Sequence, residues 1–94
     1  MKTVTIDRKC WGRGEYYNKN GRCCAIGFIA KTELQRSGKK HINSNEINCV
    51  ANNLKNLPQY WNIVGINDNQ SGKQRQKNLI QAFKKIGYKL VFKN

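Results

Sequence analysis

Acidic residues are scarce in this sequence: five Asp and Glu stand against eighteen Lys and Arg, a net charge of +13 on 94 residues. Proline occurs once, which excludes a Pro-rich linker or tail. Histidine occurs once, at His41, so a metal centre built mainly from histidines is excluded. No apolar run approaches the roughly 18 residues of a membrane-spanning helix. The opening MKTVTIDRK lacks the apolar core of a secretory signal, so a cytoplasmic location without a membrane partner is expected. The recognisable catalytic signatures are missing as well: no P-loop, no G-x-S-x-G, no H-E-x-x-H and no zinc-deaminase pattern. The acids Asp7, Glu15, Glu33, Glu46 and Asp68 are scattered and give no metal-carboxylate spacing. A non-enzymatic protein without a cofactor is the expectation.

What is present fits one small domain spanning residues 1–94. Leu, Ile, Val and Phe supply about a fifth of the chain, near the roughly 20% level below which a highly charged chain stays unfolded. Patterning therefore has to decide, and the local signals agree with one another. Residues 2–6 alternate and are β-branched, as a short strand with Val4 and Ile6 inward. Asn20-Gly21 marks a tight turn, with Tyr16-Tyr17 and Arg22-Cys23 as the arms of a short hairpin. Residues 23–37 carry apolar residues at helical spacing and are apolar almost all round at their start, which predicts a central helix. Asn43 with Glu46 resembles a capping box ahead of Ile47, Val50, Ala51 and Leu54. Pro58 ends that helix. Residues 60–66 suit a strand, and 67–69 a turn. Ser71 is a suitable cap for a third helix over 72–86, which Gly87 stops before a final strand from Tyr88. The order β-(β)-α-α-β-α-β implies an α+β, two-layer domain with three helices and short strands at both termini.

The four cysteines, Cys10, Cys23, Cys24 and Cys49, include no C-x-x-C pair. A vicinal Cys23-Cys24 rarely supplies two tetrahedral ligands, so zinc is not expected. Reduced, buried cysteines acting as small apolar residues are.

A charge of this size repels itself, and a polyanionic partner relieves the repulsion. The ordinary alternatives are plain solubility, or the Lys and Asn bias of an A/T-rich genome. An anionic membrane surface fits less well, because no segment joins a clean apolar face to a basic one. Two segments stand out as candidate nucleic-acid contacts. In residues 8–22, Arg8, Lys9, Arg13, Lys19 and Arg22 interleave with Trp11, Tyr16 and Tyr17. Cations that track phosphates beside aromatic rings that stack on bases are the usual means of holding single strands. A core role for Trp11 is the competing expectation. In the third helix, Lys73, Arg75, Lys77, Lys84 and Lys85 lie on or near a polar side, and no acid follows Asp68. That face suits phosphates, or an acidic protein. Helix-turn-helix geometry does not fit, since a strand and turn are expected to separate this helix from the one before it.

The combination of Trp11, Arg13-Gly14 and Gly21 with Cys23-Cys24-Ala25-Ile26-Gly27-Phe28 resembles a group of small accessory proteins of tailed, T4-like phages. Ile66-Asn67-Asp68, the helix near 72–86, Gly87 and Tyr88–Phe92 extend the likeness, while residues 35–60 lie outside it. The resemblance implies a fold and a viral setting; this chain is much more basic than the pattern. Its size and charge are also similar to those of phage toxin-inhibitory (TifA-like) factors, which act on an endoribonuclease toxin in association with RNA. The implied function is RNA or single-strand binding together with a host toxin or nuclease. The alternative is a protein-protein inhibitor that docks a basic face on an acidic host protein without nucleic acid.

Overall fold

A computed structural model describes all 94 residues. Strand β1 (Lys2–Asp7) opens the chain and strand β2 (Tyr88–Lys93) closes it. They pair in parallel, Val4 opposite Leu90 and Ile6 opposite Phe92, so the rest of the chain is one long crossover. Two parallel strands have no stability of their own. Helices cover the inner face, where Val4, Ile6, Tyr88 and Leu90 are buried, while Thr3, Thr5, Lys89, Val91 and Lys93 remain exposed on the other. The architecture is α+β: a small sheet and a layer of helices.

Helix α1 (Ala25–Arg36) is the centre of the fold, as its apolar start predicts, with Ala25 to Ala30 buried without a break. Its Glu33 joins both strands, accepting from Tyr88 Oη at 2.7 Å and from Lys2 Nζ at 3.2 Å. Partial burial pushes the Glu33 carboxyl up, but those two bonds outweigh it and hold the group below its ordinary 4.5. A pKa lower in the folded than in the unfolded chain adds stability above the unfolded value, and that stability is lost as pH falls through the folded one. Glu33→Gln should therefore reduce the difference in unfolding free energy between about pH 7 and about pH 3. The loss should be below about 1 kcal/mol, because the ion pair is solvated; urea titrations at the two pH values read it.

Helix α2 (Ser44–Asn53) starts as its sequence indicates, with Asn43 Oδ1 accepting from Glu46 N at 2.8 Å. The Glu46 carboxylate pairs with Lys39 at 2.8 Å. Helix α4 (Gly72–Lys85) buries Arg75, Leu79, Ala82 and Phe83. Ser71 stands at its N-cap position, but the hydroxyl makes no capping bond. Gly87, at φ 86°, takes the left-handed turn that leads into β2.

Two expectations are corrected. Residues 60–66 are not a strand, and 67–69 are not a turn: they form a fourth helix, α3 (Tyr60–Asn69), so the strand and turn expected to set the last helix apart from the one before it are absent. Its aromatic and β-branched content suits a strand, but the buried positions are Tyr60, Ile63, Ile66 and Asn67, a helical spacing. Packing against α1 and α4 overrides the local preference. The second correction concerns the hairpin at 16–23, which does not form. Asn18 builds the turn, its Oδ1 accepting from Asn20 N and Arg22 N. Cys23 then pairs with Trp11 in a parallel bridge instead of with a hairpin arm. The intervening loop is drawn across the start of α1, where Glu15 O accepts from Cys24 N at 3.1 Å.

Candidate nucleic-acid interface

Residues from the first loop, α1, α3 and α4 meet at one buried side chain. Asn67, in the last turn of α3, is 1% exposed. Its Oδ1 accepts from Trp11 Nε1 at 2.7 Å, Ala25 N at 3.1 Å and Arg75 Nη2 at 3.2 Å. Its Nδ2 donates to Gly12 O at 3.1 Å and Asp68 Oδ1 at 2.9 Å. Arg13 caps the same helix end, with Nη1 and Nη2 each 2.7 Å from the carbonyls of Asn67 and Gln70. A cation at the carbonyl end of a helix is favourable for both its charge and its hydrogen bonds.

This network settles where several residues of the 8–22 segment point. Trp11 is half-buried, with the Arg75 guanidinium 3.5 Å from its ring centroid and Phe92 tilted against it at 5.1 Å. Arg8 covers Phe92 at 5.4 Å and bonds to Gln76 and Asn94, which completes a ladder of cations and rings. Arg75 is 8% exposed, and burial followed by the neighbouring Arg13 lowers its pKa to about 10, so it stays charged at neutral pH. Trp11, Arg75, Arg8 and Arg13 thus have partners inside the protein. Tyr16 is half-buried and shares a hydrogen bond with the Tyr60 hydroxyl; Tyr17 is half-buried beside it.

The other expected contacts keep free charged ends. Lys9, Lys19, Arg22, Lys73, Lys77, Lys84 and Lys85 are all exposed. Lys73, Lys77 and Lys84 occupy the outer stripe of α4, opposite Arg75, Leu79 and Phe83. Across the molecule every Lys and Arg except Lys31 and Arg75 is exposed, and only Lys2 and Lys39 are ion-paired.

A second feature shares only Tyr16 and Tyr17 with the expected site. An open cleft of about 470 Å³ lies between the loop 14–17 and α3. Tyr16, Tyr17 and Trp61 form its walls, with Tyr60, Val64 and Ile26 behind them. Trp61 is 69% exposed, and its ring meets Tyr60 edge-on at 4.9 Å. Lys55 and Asn48 also line the cleft, and Glu15 and Asp68 contribute carboxylates. A helical reading of 60–69 would have shown Trp61 as exposed, since 60, 63, 66 and 67 take the inner stripe.

Cys23 and Cys24 are buried, while Cys10 and Cys49 are exposed, which corrects the expectation that all four are interior. Burial raises the Cys23 thiol to about 11 and raises Cys24 too, so neither is poised as a thiolate. No group of three or more His, Cys, Asp or Glu side chains could hold a metal ion. No helix is long and apolar enough to cross a membrane. No protein-family model matches the chain, and neither does any curated protein or solved structure.

Proposed function

We propose that this protein binds single-stranded nucleic acid, RNA foremost, as a non-enzymatic accessory factor in a host-cell cytoplasm. The observation that carries this reading is the uncompensated charge: nearly all the cations are exposed, and two of them are ion-paired. Phosphate neutralisation with release of counterions draws favourable free energy from such a surface. The exposed stripe of α4 and the free cations Lys9, Lys19 and Arg22 are the proposed phosphate contacts. The sequence resemblance supports a phage setting, with a host toxin or nuclease held together with bound RNA.

The test is a titration against single-stranded RNA over a series of salt concentrations. The log-log slope should be about −3 or steeper, which corresponds to about four or more phosphates at roughly −0.7 each. Absence of binding at about 50 mM salt would reject nucleic acid and leave the alternative, a basic face docked on an acidic protein. Reversing two charges on the outer stripe, Lys77→Glu with Lys84→Glu, should weaken binding of every sequence by about tenfold or more. It should also flatten the slope by about 1.4. The melting temperature should stay unchanged, because both side chains are solvated. An unaltered slope would remove α4 from the interface.

A further inference from the structure

We infer that the aromatic cleft beside α3 is a base pocket, taking one unstacked nucleobase that bears an exocyclic amino group. This rests on the nucleic-acid reading above and adds to it a site that the basic surface does not contain. Trp61 carries the argument. It is the large aromatic side chain that the fold leaves in solvent, at 69% exposure. Trp11, by contrast, already holds a guanidinium and a phenyl ring. A tryptophan face left in water at the mouth of a cleft gives a flat ligand somewhere to stack. The Tyr16–Tyr60 hydroxyl bond braces the wall behind it, joining the loop to α3. The cleft volume of about 470 Å³ lies in the range of small-ligand sites, about 300–1,000 Å³.

Charge fixes which part of a nucleotide enters. Asp68 uses Oδ1 to hold Gly14 N at 3.0 Å and Asn67 Nδ2 at 2.9 Å, and its second oxygen has no protein partner. With Glu15 it makes the cleft locally acidic on a strongly basic molecule. A phosphate is repelled there, whereas an exocyclic N–H donor is attracted, as carboxylates accept from cytosine N4. Lys55, exposed and also lining the cleft, is the cation available to the phosphate that must remain outside. Base inward and phosphate outward is the only orientation that satisfies both signs.

The experiment compares binding of the full chain to short oligo(C), oligo(A) and oligo(U) RNAs of equal length and to a duplex RNA, using wild type, Trp61→Ala and Trp61→Phe. Oligo(C) and oligo(A) should bind about tenfold or more tightly than oligo(U). Trp61→Ala should lose about 5- to 150-fold in affinity for single strands, the value of one stacked base. Trp61→Phe should recover most of the loss. Duplex affinity, salt slope and melting temperature should not move. If Trp61→Ala binds oligo(C) as wild type does while the salt slope stays steep, the pocket is rejected and the nucleic-acid reading stands. Equal affinity for the three homopolymers rejects the amino-base assignment. If wild type binds no RNA, both readings fall.

Discussion

Asn67→Ala will cost the fold about 3–5 kcal/mol, which a small domain with a stability of roughly 5–15 kcal/mol can barely sustain. The side chain joins the first loop, α1, α3 and α4 through five hydrogen bonds. Alanine leaves the Ala25 amide and the Arg75 Nη2, both buried, and the Trp11 indole N–H, part-buried, without this acceptor. Each buried donor so abandoned costs about 1–3 kcal/mol, although part is recovered where a group turns to another partner. Arg75 has such a partner in Gly12 O at 3.2 Å, which keeps the total below the simple sum. Asn67→Asp should rescue little. It restores the acceptor, but it sets an oxygen where Nδ2 faces Gly12 O and the Asp68 carboxylate. Urea unfolding gives the number, and loss of the near-ultraviolet signal from Trp11 shows whether the hub is the part that opens. A change in midpoint worth less than about 1 kcal/mol would show that the network is not holding the fold.

Gly27→Ala will destabilise by about 3 kcal/mol or more, against the direction that helix propensity suggests. In an exposed helix interior this exchange gains about 1 kcal/mol. Here a Cβ would fall 2.0 Å from Tyr16 O and 2.9 Å from Tyr16 C. Both atoms are backbone, so no rotamer change relieves the overlap; the loop must leave α1 or the helix must shift. Overpacking in a core costs about 1–3 kcal/mol even when side chains can adjust. The loop that would be displaced carries Tyr16 and Tyr17, the wall of the cleft. A variant that remains folded should therefore also lose the preference for amino-bearing bases. A melt and the homopolymer titration read the two effects separately. Wild-type stability in Gly27→Ala would mean that the loop does not rest on the helix.

The difference between Gly27 and Gly65 shows what a sequence can and cannot reveal. Both sit inside helices, and an added Cβ at Gly65 meets nothing within 4 Å. Only contact with the loop at Tyr16, earlier in the chain, makes one of them indispensable. The fate of the tryptophans has the same origin. Trp11 sits among cations in a pattern suited to stacking on bases, yet it is enclosed by Arg75 and Phe92, residues far along the chain. Trp61 lies in a segment that reads as an interior strand, yet it faces solvent because α3 is a helix. The sign of a β-branched, aromatic stretch depends on its neighbours, and those belong to α1 and α4.

By itself the sequence determined the terminal strands, α1, α2, α4 and the turn at Gly87. In each of these the hydrophobic period is local, and at α2 the Asn43 cap and at β2 the Gly87 breaker agree with it. It also determined the charge, since a net charge needs no fold to be counted. Tertiary structure alone decided that Asn67 is the hub, that Arg75 faces inward, which of the two expected roles Trp11 takes, and that an acidic, aromatic cleft opens beside α3. Each of those depends on contacts between residues about 10 to 80 positions apart. Hydrogen-bond geometry and close packing select such contacts from many alternatives of similar composition, and neither leaves a period in the chain.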